Sequence, residues 1–179
     1  MNRKLVTVEE IKEVKSIEGA DKIEAVRVRE WWVVAKKNEF KVGDYCMYFE
    51  IDSFLPVKPE YDFLLRGSAP KKMLLDGKQI EGIRLKTIKL KGQISQGLVL
   101  PLPQEGKWYL GEDISEQLGV IKYEAPISPE LSGKVKGTFP GFLNKTDEER
   151  IQNMSDILSN YYVSEKLDGT STTYFKKDG

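Results

Sequence analysis

The chain has 179 residues, 40% of them hydrophobic. That suits one large domain, or a small domain with part of another, and argues against disorder. Its 28 basic and 28 acidic residues balance, so only local clustering can mark a nucleic-acid surface. Histidine is absent and Cys46 is the single cysteine, which excludes histidine triads, histidine-bound zinc and an internal disulfide framework.

Residues 1–120 read as short strands separated by turn signals. Leu5 to Val8 is the first. In Lys22 to Glu30, Ile23, Ala25, Val26 and Val28 stand among Glu24, Arg27 and Arg29, and Trp31 to Ala35 either continues that strand or forms the next. Trp31 and Trp32 could offer a stacking surface, but alternation places one in the core and leaves the other partly exposed. Lys41 to Asp44 is a turn, and Tyr45 to Ile51 is an aromatic-rich strand whose Tyr45, Tyr48 and Phe49 are predicted core. Gly82 to Lys91 alternates, with a slip near Thr87, and Gly97 to Leu100 is a short apolar strand stopped by Pro101. This succession predicts a small β-barrel or sandwich. Residues 66–93 carry eight basic residues against two acids. On a barrel, Lys86, Lys89 and Lys91 can track a phosphate backbone, or simply form the solvated face of their strand.

Residues 121–145 hold three prolines and three glycines and predict a linker. A helix follows, opened by a capping box in which Thr146 caps and Glu149 reaches back, with Asp147 and Glu148 in the first turn. Ile151, Met154, Ile157 and Leu158 form its apolar stripe. Tyr161 to Glu165 and Thr170 to Phe175 are strands about a turn at Asp168-Gly169. Only ten residues follow Gly169. No apolar run approaches the ~18 residues of a membrane span, and the start MNRKLVTVEE lacks a secretory apolar core. A soluble cytoplasmic protein is expected, with no membrane partner.

Lys166-Leu167-Asp168-Gly169 fits K-x-D-G, the acceptor motif of covalent nucleotidyltransferases. A lysine amine can attack the α-phosphate of ATP and hold AMP as a phosphoramidate. It must first lose its proton, against a reference pKa of about 10.4, which burial and nearby cations lower. Asp168, two residues on in extended chain, shares a face with Lys166 and can hold Mg²⁺ through water. Gly169 lets backbone approach a ligand closely. A Lys–Asp surface pair before a turn is the other reading of these residues. Lys176-Lys177-Asp178-Gly179 fits the same pattern, in a charged loop tip. Strand context favours the first copy.

Val163 to Ser171, around that motif, resembles motif I of the RNA-ligase branch of the ligase superfamily. Phe139-Pro140 and Lys145 to Asn153 resemble the segment before it. Glu18 to Glu24, Phe40 to Asp44, Tyr48 to Pro56 and Lys86 to Leu98 resemble the N-terminal oligonucleotide-binding (OB) module of the RNA ligase 5 family. The resemblance covers nearly the whole chain, in order. It implies a mainly β protein with some α: an OB-fold barrel over 1–120, a linker over 121–145, and the beginning of an α+β nucleotidyltransferase (adenylyltransferase) domain over 146–179. The activity it implies is ATP-dependent sealing of 3′-hydroxyl/5′-phosphate nicks in duplexes with RNA on the 3′-hydroxyl side. Lys166 would accept AMP, Asp168 would touch the water shell of Mg²⁺ (or Mn²⁺), Glu165 would lie against the adenine, and Arg150 would reach the ATP phosphates. The family's further ATP-site motifs, which lie beyond this point, are not in the chain, so a fragment of a longer ligase is expected, inactive by itself. A non-catalytic OB protein, a DNA ligase and a capping enzyme are the competing readings.

Overall fold

The computed structural model describes residues 3–75, 77–126, 129–131, 133–135, 143, 150–153, 162, 164–165 and 173–176. Five antiparallel strands form the main sheet. They are β1 (Val6–Ser16), β2 (Ile23–Val28), β3 (Trp31–Lys36), β4 (Tyr45–Phe49) and, much later in the chain, β10 (Leu98–Pro101). Their spatial order is β10-β4-β1-β2-β3. β1 runs well past the four residues predicted, because it serves two partners. Residues 6–10 pair with β4 and residues 11–16 with β2, with a bulge between Ile11 and Glu13. A bulge bends a strand and adds twist, which carries β1 across two sides of a barrel. The outer edges then meet: β10 packs beside β3, and the Gln96 backbone N–H donates to Trp32 O at 2.9 Å. This is the strand order of an OB barrel.

The segment between the fourth and fifth barrel strands builds a second sheet. β5 (Ser53–Pro56), β6 (Lys71–Leu75) and β7 (Lys78–Arg84) join β11 (Ile121–Lys122) in the order β11-β5-β7-β6. β8 (Ile88–Leu90) and β9 (Gln93–Ser95) form a separate hairpin. The slip in alternation near Thr87 marks the place where β7 has ended and β8 has not begun. Ile121–Lys122, at the start of the predicted linker, is held by β5, and the Tyr123 N–H donates to Asp52 O at 2.8 Å.

β4 is buried on both faces, and this decides the packing. Cys46 and Tyr48 point into the barrel with Ile11, Val26, Val33 and Val99, whereas Met47 and Phe49 face Leu55, Ile83, Tyr61 and Ile114 of the added layer. Tyr45 is 47% exposed and outside the core, contrary to expectation. It begins the strand opposite exposed Glu10, before the second layer covers that face. Trp31 is buried and Trp32 half-buried, as alternation required. A short helix, α1 (Ser115–Leu118), ties the end of this unit to its start: Ser115 Oγ accepts from the N–H groups of Leu5 and Val6, at 3.1 and 2.9 Å. Of the predicted helix after residue 146, the described part is a single 3₁₀ turn, Ile151–Asn153. The predicted strands on either side of Asp168-Gly169 lie largely outside the described residues.

Candidate nucleotide and nucleic-acid site

Charged residues have entered the barrel wall at positions where strand alternation points inward. Glu9 and Glu50 are 8% and 4% exposed. Both are matched by arginines. Arg29 Nη2 donates to Glu9 Oε1 at 2.6 Å and to Thr7 Oγ1 at 3.3 Å, and Arg29 Nη1 lies 3.7 Å from Glu50 Oε1. Arg3 Nε donates to Glu50 Oε2 at 2.6 Å and Arg3 Nη2 to Ile51 O at 3.0 Å. Arg29 sits in the β2–β3 turn at φ 52, a left-handed conformation that costs a non-glycine residue about 1–2 kcal/mol. The turn places its guanidinium between the two carboxylates. Burial works to lower the Arg29 pKa, but the Glu9 bond and the charges of Glu9 and Glu50 outweigh it, and the pKa is raised. A charge network this far from solvent holds only while every member has a partner.

This polar mouth receives chain from beyond the barrel. Trp31 Nε1 donates to Asn153 Oδ1 at 3.0 Å, and Asn153 Nδ2 donates to Glu50 Oε1 at 2.7 Å. The guanidinium carbon of Arg150 stands 5.7 Å from the Trp31 ring centroid. Arg3, Trp31, Tyr48, Glu50 and Arg150 line one shallow cleft. Arg150, assigned from sequence to ATP phosphates, is thus found at the barrel mouth. Glu165 is exposed. Lys166, Asp168 and Gly169 lie outside the described residues.

Lys86, Lys89 and Lys91 are all exposed. Lys89 is in β8, and Lys91 (φ 47) with Gly92 (φ 82) forms the tip of the β8–β9 hairpin. The rest of the basic stretch is less uniform. Arg84 is committed internally, with Nη2 2.7 Å from Asp52 Oδ1 and its guanidinium carbon 4.4 Å from the Tyr123 ring centroid, and Lys72 pairs with Glu81 at 3.7 Å. One face of the half-buried Trp32 is occupied, with Lys15 Nζ 3.6 Å from its ring centroid. Cys46 is buried inside the barrel, and burial, then the Glu9 and Asp44 charges, push its thiol pKa up to about 12. It is a core residue with no thiolate chemistry at neutral pH. Among the described residues no group of three or more Cys, Asp or Glu side chains converges on a metal position, and no helix is long and apolar enough to cross a membrane.

Sequence reading missed the Arg3–Glu50–Arg29–Glu9 network and its bond to Asn153. The available signal reached only the burial of the two carboxylates and not their pairing: Glu9 lies within the apolar start of β1, and Glu50 directly follows the apolar run of β4.

A family model described as an OB-fold domain matches residues 5–102. Solved structures of a Naegleria gruberi RNA ligase are similar over most of the chain. An apo variant matches with a TM-score of 0.67 and 44% identity, covering 85% of this chain and 44% of that one. The pyrophosphate complex matches with a TM-score of 0.66, 44% identity and the same coverage. A variant solved with ATP and Mn matches with a TM-score of 0.65 and 44% identity, covering 84% of this chain and 44% of that one. The chain therefore spans less than half the length of these ligases. Comparison with curated proteins gave no match.

Proposed function

The chain belongs to the OB-fold domain family through residues 5–102, and from that premise we propose that it is the N-terminal part of an ATP-dependent RNA ligase of the RNA ligase 5 type. The observation that carries this reading is the 44% identity to an RNA ligase solved with ATP and Mn, over 84% of the chain. That span includes far more than a barrel. Residues 1–120 form the nucleic-acid-binding module, 121–145 the linker, and 146–179 the start of the nucleotidyltransferase domain.

Lys166 is the nucleophile. Its deprotonated amine attacks the α-phosphorus of ATP, a P–N bond forms, the bond to the bridging oxygen breaks and pyrophosphate leaves. The lysyl-AMP then passes AMP to a 5′-phosphate, and attack by the 3′-hydroxyl closes the strand and releases AMP. Glu165 and Gly169 position the nucleotide. Asp168 is the residue that would hold a divalent ion, Mg²⁺ or Mn²⁺, through water, and such an ion would supply positive charge against the departing pyrophosphate. Arg150 is carried as a phosphate contact on the resemblance. A phosphate bound by Arg150 where it now stands would share the cleft with Glu50, whose charge opposes it. The substrate is a nicked duplex with RNA on the 3′-hydroxyl side, approached by Lys86, Lys89 and Lys91, and the setting is the cytoplasm, where RNA repair is the work of such a ligase.

The test uses a protein in which residues 1–179 are continued by a complete nucleotidyltransferase domain. Lys166→Ala should abolish transfer of labelled AMP from ATP, Lys176→Ala should leave it largely intact, and GTP should not label. Labelling that survives Lys166→Ala but is lost in Lys176→Ala would assign the chemistry to the second copy of the motif. Labelling by GTP alone would point to a capping enzyme.

A further inference from the structure

Two stretches with separate places in the sequence resemblance are joined by one side chain. Glu50 belongs to the run Tyr48 to Pro56, and Asn153 to the run Lys145 to Asn153, 103 residues later. We propose that the mouth of the barrel is a docking site for its own chain. In it Trp31 and Glu50 form a donor–acceptor pair read by the amide of Asn153, which anchors the segment entering the following domain.

The docking follows from which polar groups are buried and how they are shared. Trp31 is 5% exposed and its ring is part of the barrel core, so its indole N–H has little access to water. The partner it finds is Asn153 Oδ1, at 3.0 Å. Glu50 is 4% exposed and has two carboxylate oxygens to satisfy. Oε2 takes Arg3 at 2.6 Å, and Oε1 takes Asn153 Nδ2 at 2.7 Å, with Arg29 Nη1 farther away at 3.7 Å. A carboxamide fits this pair because it carries one acceptor and one donor group side by side. Aspartate would set a second carboxylate against Glu50, and alanine would leave the indole N–H without its partner. Arg150, one helical turn back, adds a cation over the Trp31 ring, 5.7 Å from its centroid. The Asn153 N–H donates to Arg150 O at 2.8 Å, so the 3₁₀ turn that sets Arg150 beside the ring also aims Asn153 at the pair. The function is positional. The barrel fixes where the chain enters the next domain, thirteen residues before Lys166.

The docking contact is a property of the chain itself, whereas its role in the entry to a following domain rests on the ligase reading; the contact is tested without any assay of ligation. The three tryptophans give three indole N–H resonances, and Trp31→Phe assigns one of them. In residues 1–179, Asn153→Ala should shift the Trp31 indole resonance and speed its hydrogen exchange at least tenfold, while the amides of β1 and β4 keep their protection. Tryptic cleavage after the exposed Lys134, which precedes the anchor in sequence, should accelerate in the same variant. Asn153→Asp should also loosen the indole, though it keeps an acceptor for Trp31. An indole that exchanges at the parental rate in Asn153→Ala, in a barrel whose amides remain protected, would overturn the proposal. If barrel protection collapsed together with the indole, Asn153 would be a fold-stabilising residue and the docking role would fail as well.

Discussion

Gly97 shows how closely single residues are held where the barrel closes. Its φ is +125, and a Cβ placed on it would stand 2.5 Å from a ring carbon of Tyr48 and 2.7 Å from Phe49 O. The approach is needed because Tyr48 Oη donates to Gln96 O at 3.0 Å, which pulls the start of β10 against β4. Neither obstacle can move freely, since Tyr48 and Phe49 are both core residues. Burial also raises the Tyr48 pKa, so the phenol keeps the proton it donates at any working pH. Gly97→Ala should therefore cost about 2–4 kcal/mol, combining backbone strain with overpacking. A denaturant midpoint would report it, and an unchanged midpoint would mean that the β4–β10 approach is not required for closure. Arg29 bears a similar conformational cost at φ 52 without being glycine, because its side chain is held by Glu9 and Glu50. The two positions illustrate the different means of stabilising a left-handed turn: no side chain at all, or one with a buried partner.

At the level of elements, the β8–β9 hairpin is one part of the basic stretch available to a polyanion. Arg84 pairs with Asp52, just before β5, and Lys72 with Glu81 of β7, whereas Lys86, Lys89 and Lys91 are exposed on and beside the hairpin. Replacing these three by glutamate should weaken binding to nicked duplex and flatten its dependence on salt by about 0.7–0.9 in logarithmic slope for each phosphate no longer neutralised. Titrations at several salt concentrations would measure this, and an unchanged slope would return the lysines to a solvated strand face. β2 and β3 were legible in sequence through their alternation, and β4 and β10 as short aromatic or apolar runs bounded by turn signals. β6 was not legible. Met73 is its single buried residue, while Leu74 and Leu75 are 60% and 42% exposed, so it has no alternation to read. The charge network was hidden for another reason. Arg3 meets Glu50 across 47 residues, and Asn153 meets Glu50 across 103, and no local pattern encodes a pairing at that range.

On the scale of the whole molecule, the barrel and the proposed chemistry differ in how much of each this chain holds. The barrel is closed by its own strands, has two hydrophobic clusters, and ties residue 115 back to residues 5 and 6. It should unfold cooperatively as a unit. A nucleotidyl-transfer site demands more: the triphosphate must be fixed in line with the lysine, and charge developing on pyrophosphate must meet fixed cations or metal. The residues proposed for this are Lys166, Asp168, Glu165, Gly169 and Arg150, and of these Arg150 stands at the barrel mouth and Glu165 is exposed. The ligases this chain resembles are more than twice its length. On the proposed reading, residues 1–179 incubated with labelled ATP and Mg²⁺ should acquire less than about a tenth of an equivalent of AMP, since each phosphate-binding group beyond those proposed that the transfer requires, worth about 2–4 kcal/mol, changes its rate by tens to hundreds-fold or more. The same preparation should show a cooperative melt of the barrel, which separates a missing site from a misfolded protein. Stoichiometric labelling that disappears in Lys166→Ala would show that these residues suffice for the first chemical step, and that the barrel with its docked segment already lowers the lysine pKa and holds the nucleotide.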